Sequence, residues 1–113
     1  MKRLVDEIKN RAKGLVGSKN FPEALRLYSK AIEIVNESNE SLFDKSTKAI
    51  LYANRSMCFL NTGEFNSSLD DANKSIDIDQ QYIKAYYRKG SKYIISMSSN
   101  NLYMSMQLWH NLD

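Results

Sequence analysis

Residues 52–90 read YANRSMCFLNTGEFNSSLDDANKSIDIDQQYIKAYYRKG, and this stretch contains a pattern that recurs after thirty-four residues. Tyr52 and Tyr86 are each followed two positions later by a polar residue, Asn54 in the first case and Arg88 in the second. A unit of about this length that recurs in register is typical of stacked helix pairs, because one pair cannot bury its apolar face alone. The stretch therefore predicts a helical repeat.

A second correspondence joins two longer segments. Phe21–Ile34 (FPEALRLYSKAIEI) and Phe65–Ile78 (FNSSLDDANKSIDI) share their Phe, Leu and Lys positions and the same Ile-acid-Ile ending, and small residues align with small residues. Their offset is forty-four residues rather than thirty-four, so about ten residues are inserted between the first and second units. We interpret the two segments as copies of one helix.

Apolar residues at three- and four-residue steps predict six helices along the chain. Their expected ranges are about 4–16, 21–36, 42–60, 65–78, 82–97 and 102–112. The polar stretch 37–41 either forms a longer loop or extends the flanking helices. The sixth helix matches its counterparts poorly.

Particular residues mark where these helices begin and end. Asn20, followed three residues later by Glu23, resembles a capping box. Pro22 falls in the first turn of the second helix, where its missing N–H removes no hydrogen bond. Gly63 is expected in the left-handed conformation that often follows a helix end.

The composition indicates a single globular domain without nucleic-acid binding. The chain has 113 residues, of which 42% are hydrophobic and 26% charged, as in folded proteins rather than disordered or membrane chains. The net charge of +3 favours an acidic partner but is too small to indicate nucleic acid by itself. Tyrosines interleaved with basic residues over 82–93 would suit RNA, but helical spacing assigns Tyr86 and Tyr93 to the core.

The sequence also predicts a cytoplasmic location. It contains one cysteine and so cannot form an internal disulfide, which favours a reducing compartment. Residues 1–7 lack the apolar core of a signal peptide. No apolar run approaches the roughly 20 residues that a membrane span requires. We therefore expect no membrane association.

We expect no catalysis, no metal and no cofactor. Cys58 lies in an apolar helical stretch and is interpreted as buried filler rather than a nucleophile. His110 is the only histidine, and no ligand spacing supports a metal site. The chain has no glycine loop of the kind that binds phosphate. The acidic residues of the fourth helix and its end are interpreted as a solvated face: Asp70, Asp71, Asp77 and Asp79.

The pattern of small and bulky residues resembles the tetratricopeptide repeat family over almost the whole chain. The small or aromatic positions of that family's second helix correspond to Ala24, Tyr28, Ala31, Ser68, Ala72 and Ser75. The bulky positions of its first helix correspond to the pairs Ile8 and Leu15, Tyr52 and Phe59, and Tyr86 and Tyr93.

The resemblance implies an all-α fold of three antiparallel helix pairs, stacked as a right-handed superhelix whose groove is lined by the first helix of each pair. The expected divisions of this single domain, residues 1–113, are repeat one at about 5–38, an insertion at about 39–48, repeat two at about 49–82 and repeat three at about 83–113.

Five polar residues resemble the set with which one group of these domains grips a peptide by its terminal carboxylate. They are Lys9, Lys13, Asn54, Lys84 and Arg88. Lys13 stands where asparagine is usual in that set. We therefore expect the domain to retain binding of carboxylate-ending peptides but with an altered selectivity among them. The resemblance implies an adaptor whose ligands are the Glu-Glu-Val-Asp tails of cytosolic heat-shock chaperones of the 90 kDa and 70 kDa classes. The alternative for each lysine pair is a solvated basic face.

Two other functions remain open from the sequence. The domain could be a general scaffold for another peptide or helix, or the targeting module of a larger enzyme such as an isomerase, phosphatase or methyltransferase. Three apolar residues near the C-terminus are also expected to be covered. They pack under the third helix pair, against a second copy of the chain, or against a further region of the protein. These residues are Leu108, Trp109 and Leu112.

Overall fold

A computed structural model describes residues 2–39 and 42–79, and the chain over these ranges consists of α-helices joined by short connections. The helices are α1 (Lys2–Gly17), α2 (Phe21–Glu37), α3 (Lys45–Asn61) and α4 (Phe65–Ile78). The expected all-α, tetratricopeptide-like fold is confirmed. The third predicted pair, over 82–112, lies outside the described residues, as do Leu108, Trp109 and Leu112.

Successive helices pack against each other in antiparallel order. A three-residue turn reverses the chain between α1 and α2. Between α2 and α3, Asn36 donates a hydrogen bond to the hydroxyl of Tyr52 at 3.1 Å, and Arg55 donates to the hydroxyl of Ser29 at 3.2 Å. The later residue of α2 thus meets the earlier residue of α3, and the earlier meets the later, so α2 and α3 are antiparallel. Since α1 and α2 are also antiparallel, α1 and α3 run in the same direction.

Serine hydroxyls hold α3 and α4 close together. Ser56 donates to the backbone carbonyl of Ser68, and Ser68 donates to that of Ser56, both at 2.7 Å. Ser75 donates to the carbonyl of Ala49 at 2.8 Å. A hydroxyl reaches the backbone of a neighbouring helix only when the two helices approach closely, which small residues permit. This close approach explains why small side chains recur along α4.

The core is centred on α2, which contributes buried side chains from both of its faces. Tyr28 and Val35 are almost completely buried, and Val5 of α1 and Leu51 of α3 pack into the same cluster. Full burial of side chains of this size stabilises the fold by about 1.5–3 kcal/mol each. The amphipathic pattern of the sequence thus accounts for the packing of these helices.

The predicted capping box at the start of α2 is wrong. Asn20 makes no side-chain cap hydrogen bond, since its backbone (φ −89°, ψ 69°) differs from the extended conformation usual at that position. The Glu23 carboxylate instead accepts a hydrogen bond from Arg26 at 2.6 Å. The expectation for Gly63 is confirmed, since its φ is 81°.

The third helix begins later than the apolar pattern predicted. Leu42 and Phe43 precede α3, and Phe43 is buried without being helical. The helix begins after Asp44, whose carboxylate accepts hydrogen bonds from the Thr47 backbone N–H at 2.9 Å and the Thr47 hydroxyl at 2.6 Å. These bonds satisfy an N–H that the helix itself leaves free, so the cap at Asp44 sets the boundary.

Candidate functional site

One face of α1 carries the first two predicted site residues. Lys2, Asp6, Lys9 and Lys13 follow each other at steps of four, three and four residues, which places them on one side of the helix. Lys9 lies 3.9 Å from a carboxylate oxygen of Asp6, while Lys13 is exposed and forms no ion pair with any residue of 2–39 or 42–79. We call Lys9 and Lys13 the basic face.

The third predicted site residue, Asn54, is a buried amide. Only 8% of its surface is exposed, and no described residue forms a hydrogen bond with its side chain. Burial of an amide without a partner costs about 1–3 kcal/mol, so native proteins rarely leave one unsatisfied without a functional reason. Within residues 2–39 and 42–79, the amide of Asn54 therefore keeps its hydrogen-bonding capacity unused.

A recess of about 260 Å³ shows how α1 and α3 are placed relative to each other. It is lined by Lys2, Asp6, Leu42, Phe43, Asp44 and Thr47. The first turns of α1 and α3 therefore lie on either side of one polar depression. The wall between them comes from the segment that connects α2 to α3.

Helix geometry extends this arrangement from the recess to the predicted site. Lys13 follows Asp6 by seven residues, and Asn54 follows Thr47 by seven residues. Seven residues make about two turns and about 10 Å of rise, so each residue stays on the same face as its predecessor. Lys13 and Asn54 therefore lie two turns beyond Asp6 and Thr47, on the faces of α1 and α3 that carry those two recess residues. Lys84 and Arg88 lie outside the described residues.

A second polar cluster, which the sequence analysis missed, joins three helices. We call it the three-helix junction, and its residues are Ser29 of α2, Arg55 of α3 and Asp71 of α4. Arg55 donates two hydrogen bonds to the Asp71 carboxylate, at 2.6 and 2.9 Å, and a third to Ser29 at 3.2 Å. Its guanidinium carbon also lies 5.6 Å from the ring centres of Tyr52 and Phe59. The hydrogen bonds to Asp71 raise the pKa of Arg55.

The junction corrects the interpretation of the acidic residues in α4. Asp71 is buried rather than solvated, whereas Asp70 and Asp77 are exposed as expected. Asp71 lies three residues after Ser68 and four before Ser75, the buried serines that face α3. The spacing of three and four residues could have predicted the burial of Asp71, because it places Asp71 rather than Asp70 on the helix face that packs against α3.

The described residues contain little that could perform covalent or metal chemistry. Cys58 is fully buried, and burial raises the pKa of its thiol to about 11, so it stays protonated at neutral pH. Its interpretation as buried filler is confirmed. Within 2–39 and 42–79, no three His, Cys, Asp or Glu side chains form a group that could hold a metal ion. None of the described helices has the length and apolar character needed to cross a membrane.

Comparison with known proteins shows similarity to parts of several longer chains. Serine/threonine-protein phosphatase 5 of Homo sapiens is 37% identical over 86 residues, which cover 76% of this chain and 15% of the phosphatase. Heat shock protein STI1 of Saccharomyces cerevisiae is 30% identical over 94 residues, 83% of this chain and 14% of that protein. Hsp70/Hsp90 co-chaperone CNS1 of the same organism is 32% identical over 85 residues, 75% of this chain and 20% of that protein.

The chain therefore spans at most about a fifth of the length of these relatives. No protein-family model matches it, and no solved structure matches it. Its antiparallel helix pairs and these similarities together identify an all-α, tetratricopeptide-like domain that is related to one segment of a phosphatase, a heat-shock protein and a co-chaperone.

Proposed function

We propose that this chain is a non-catalytic adaptor that binds the acidic C-terminal tail of a heat-shock chaperone of the 90 kDa or 70 kDa class in the cytoplasm. The observation that carries the proposal is the buried amide of Asn54, which forms no hydrogen bond with any described residue and lies on the face of α3 that carries Thr47. Lys84 and Arg88 would complete the binding set from the third unit.

The chemistry of these side chains suits a peptide that ends in aspartate. Such an end carries two carboxylates, and the ammonium groups of Lys9 and Lys13 and the amide of Asn54 are hydrogen-bond donors. Each charge-assisted hydrogen bond contributes roughly 1.5–3 kcal/mol. Several such bonds, less the cost of ordering a short peptide, give an affinity on the order of micromolar.

The comparisons support the class of partner. One relative is named an Hsp70/Hsp90 co-chaperone and another a heat shock protein. Both are matched over at least three quarters of this chain, and a match of that length necessarily includes Asn54. We extend the partner class of these relatives to the present chain on that basis.

Calorimetry with a peptide ending in Glu-Glu-Val-Asp, and with the same peptide amidated at its C-terminus, tests the proposal. We expect binding of the acid, little binding of the amide, and weaker binding as salt rises. Asn54→Ala should abolish most of the preference for the acid, whereas Asn66→Ala, at an exposed asparagine of α4, should leave it intact. Equal signals from acid and amide would contradict the proposal and favour a general scaffold.

A second candidate is a targeting module within a longer enzyme. The observation in its favour is the match to 15% of a serine/threonine phosphatase. The full transcript decides between the two: a reading frame that continues into a catalytic domain would support the module. A stop codon directly after residue 113 would exclude it.

A further inference from the structure

The three-helix junction holds the side chain of Arg55 between two other helices. Its partners are twenty-six residues before it in α2 and sixteen residues after it in α4. The two bonds to Asp71 use the planar fork of the guanidinium, a geometry that a lysine ammonium does not reproduce. Because the side chain is held on both sides, α3 is restrained from turning about its own axis.

Asn54 immediately precedes Arg55, and successive helical residues point about 100° apart. The direction of Asn54 is therefore fixed relative to that of Arg55. When Arg55 is held between α2 and α4, Asn54 faces the side of α3 that carries Thr47, which lines the recess opposite α1. A turn of α3 would move Asn54 away from the basic face.

The state of Asn54 gives a reason for such a restraint. Its amide is buried and lacks a hydrogen bond to any residue that the structure describes. An amide in this state would gain hydrogen bonds to water if the helix turned outward. Several contacts of α3 oppose that movement, among them the bonds of Ser56 to Ser68. The bonds of Arg55 to Asp71 and Ser29 come from the residue directly after Asn54 and reach two different helices.

We propose that Arg55 is a positioning residue that fixes the rotation of α3 and so presents the amide of Asn54 to the ligand. The effect of Arg55 on ligand binding follows only if the proposed function, binding of an acidic C-terminal tail, is correct. Arg55 itself does not touch the ligand in this proposal; it acts through Asn54. The role differs from simple stabilisation, because it predicts a loss of selectivity in a protein that is still folded.

Arg55→Lys tests this role, because it keeps the charge and removes the planar fork. We expect the nuclear magnetic resonance signal of the Asn54 side-chain amide to shift. We also expect affinity for the acid peptide to fall roughly tenfold while binding of the amidated peptide is unchanged, since one charge-assisted hydrogen bond is lost. Asp71→Asn, which keeps the size of the side chain, should act in the same direction and serves if Arg55→Lys does not fold.

Ser75→Ala is the matched control, since it removes a buried hydrogen bond between α3 and α4 away from the junction. It should lower stability without moving the Asn54 signal or the ratio of acid to amide binding. An Arg55→Lys protein with an unchanged Asn54 signal would overturn the inference. Failure of the wild-type chain to distinguish acid from amide would overturn the proposed function instead, and the Asn54 signal would still test the role of Arg55.

Discussion

Lys13 carries three hydrogen-bond donors and no acceptor, whereas an asparagine at the same position would offer both. In the proposed site this substitution adds a charge next to Lys9 and removes an acceptor for the backbone of the peptide. Binding at this end of the groove should therefore depend more on charge and less on the backbone of the ligand. The contribution of Lys13 to binding can therefore be measured by varying the salt concentration.

Lys13→Asn is expected to weaken the salt dependence of binding and to change affinity at low salt by roughly 0.2–1 kcal/mol, the range for an exposed ionic contact. Calorimetry of the acid peptide over a series of salt concentrations measures both effects. Lys30→Asn, at an exposed lysine of α2, is the control for a general loss of charge. Identical affinity and salt dependence in the Lys13→Asn protein would show that the position takes no part in binding.

At the scale of single helices, α2 and α3 begin differently. The side chain of Asp44 caps α3, whereas the side chain of Asn20 does not cap α2. Asp44 has the extended backbone of a cap (φ −81°, ψ 169°) and Asn20 does not (ψ 69°). Both residue types are favoured at this position, so residue type alone does not separate them. The local backbone does, and it depends on how the preceding connection is packed.

Asp44→Ala should lower the free energy of unfolding by about 0.5–2 kcal/mol, the usual loss for a cap, whereas Asn20→Ala should change it little. Chemical denaturation of both variants measures the difference. The hydrogen bonds from Thr47 hold the pKa of the Asp44 carboxyl below its ordinary value of 3.8. The stabilisation is therefore present above pH 3.8 and is lost as the pH falls through the lowered pKa. Equal losses in the two variants at neutral pH would contradict this assignment.

The helices could be predicted because their buried residues recur with the period of 3.6 residues, which is visible in the sequence as apolar residues in α1 to α3 and as small residues in α4. The three-helix junction could not be predicted in the same way. Asp70 and Asp71 have the same side chain and adjacent positions, and only their orientation on α4 separates an exposed residue from a buried partner of Arg55. Asn54 could be proposed as a site residue from resemblance, whereas its burial, with no hydrogen bond to a described residue, required the structure.

At the scale of the whole molecule, the apolar residues Leu108, Trp109 and Leu112 lie outside the described residues. Self-association therefore stays a prediction, beside the alternatives that they pack under the third pair or that a further region covers them. Sedimentation equilibrium should then show a dimer that Trp109→Glu dissociates, because a buried charge opposes the association of apolar surfaces. Leu4→Glu changes the most exposed large hydrophobic residue of the described chain, at 45% exposure, and should leave the dimer intact. A monomer in which Trp109 is shielded from a soluble quencher would contradict the prediction.

The reciprocal serine contacts between α3 and α4 also constrain how this sequence can change over time. Ser56 and Ser68 are fully buried and each donates to the backbone of the other, so we expect a larger side chain at either position to push the two helices apart. Substitutions of residues in direct contact are not additive in their effect on stability. A lineage that enlarges one of the two is therefore expected to alter the other as well, so that the two positions covary among descendants of this gene.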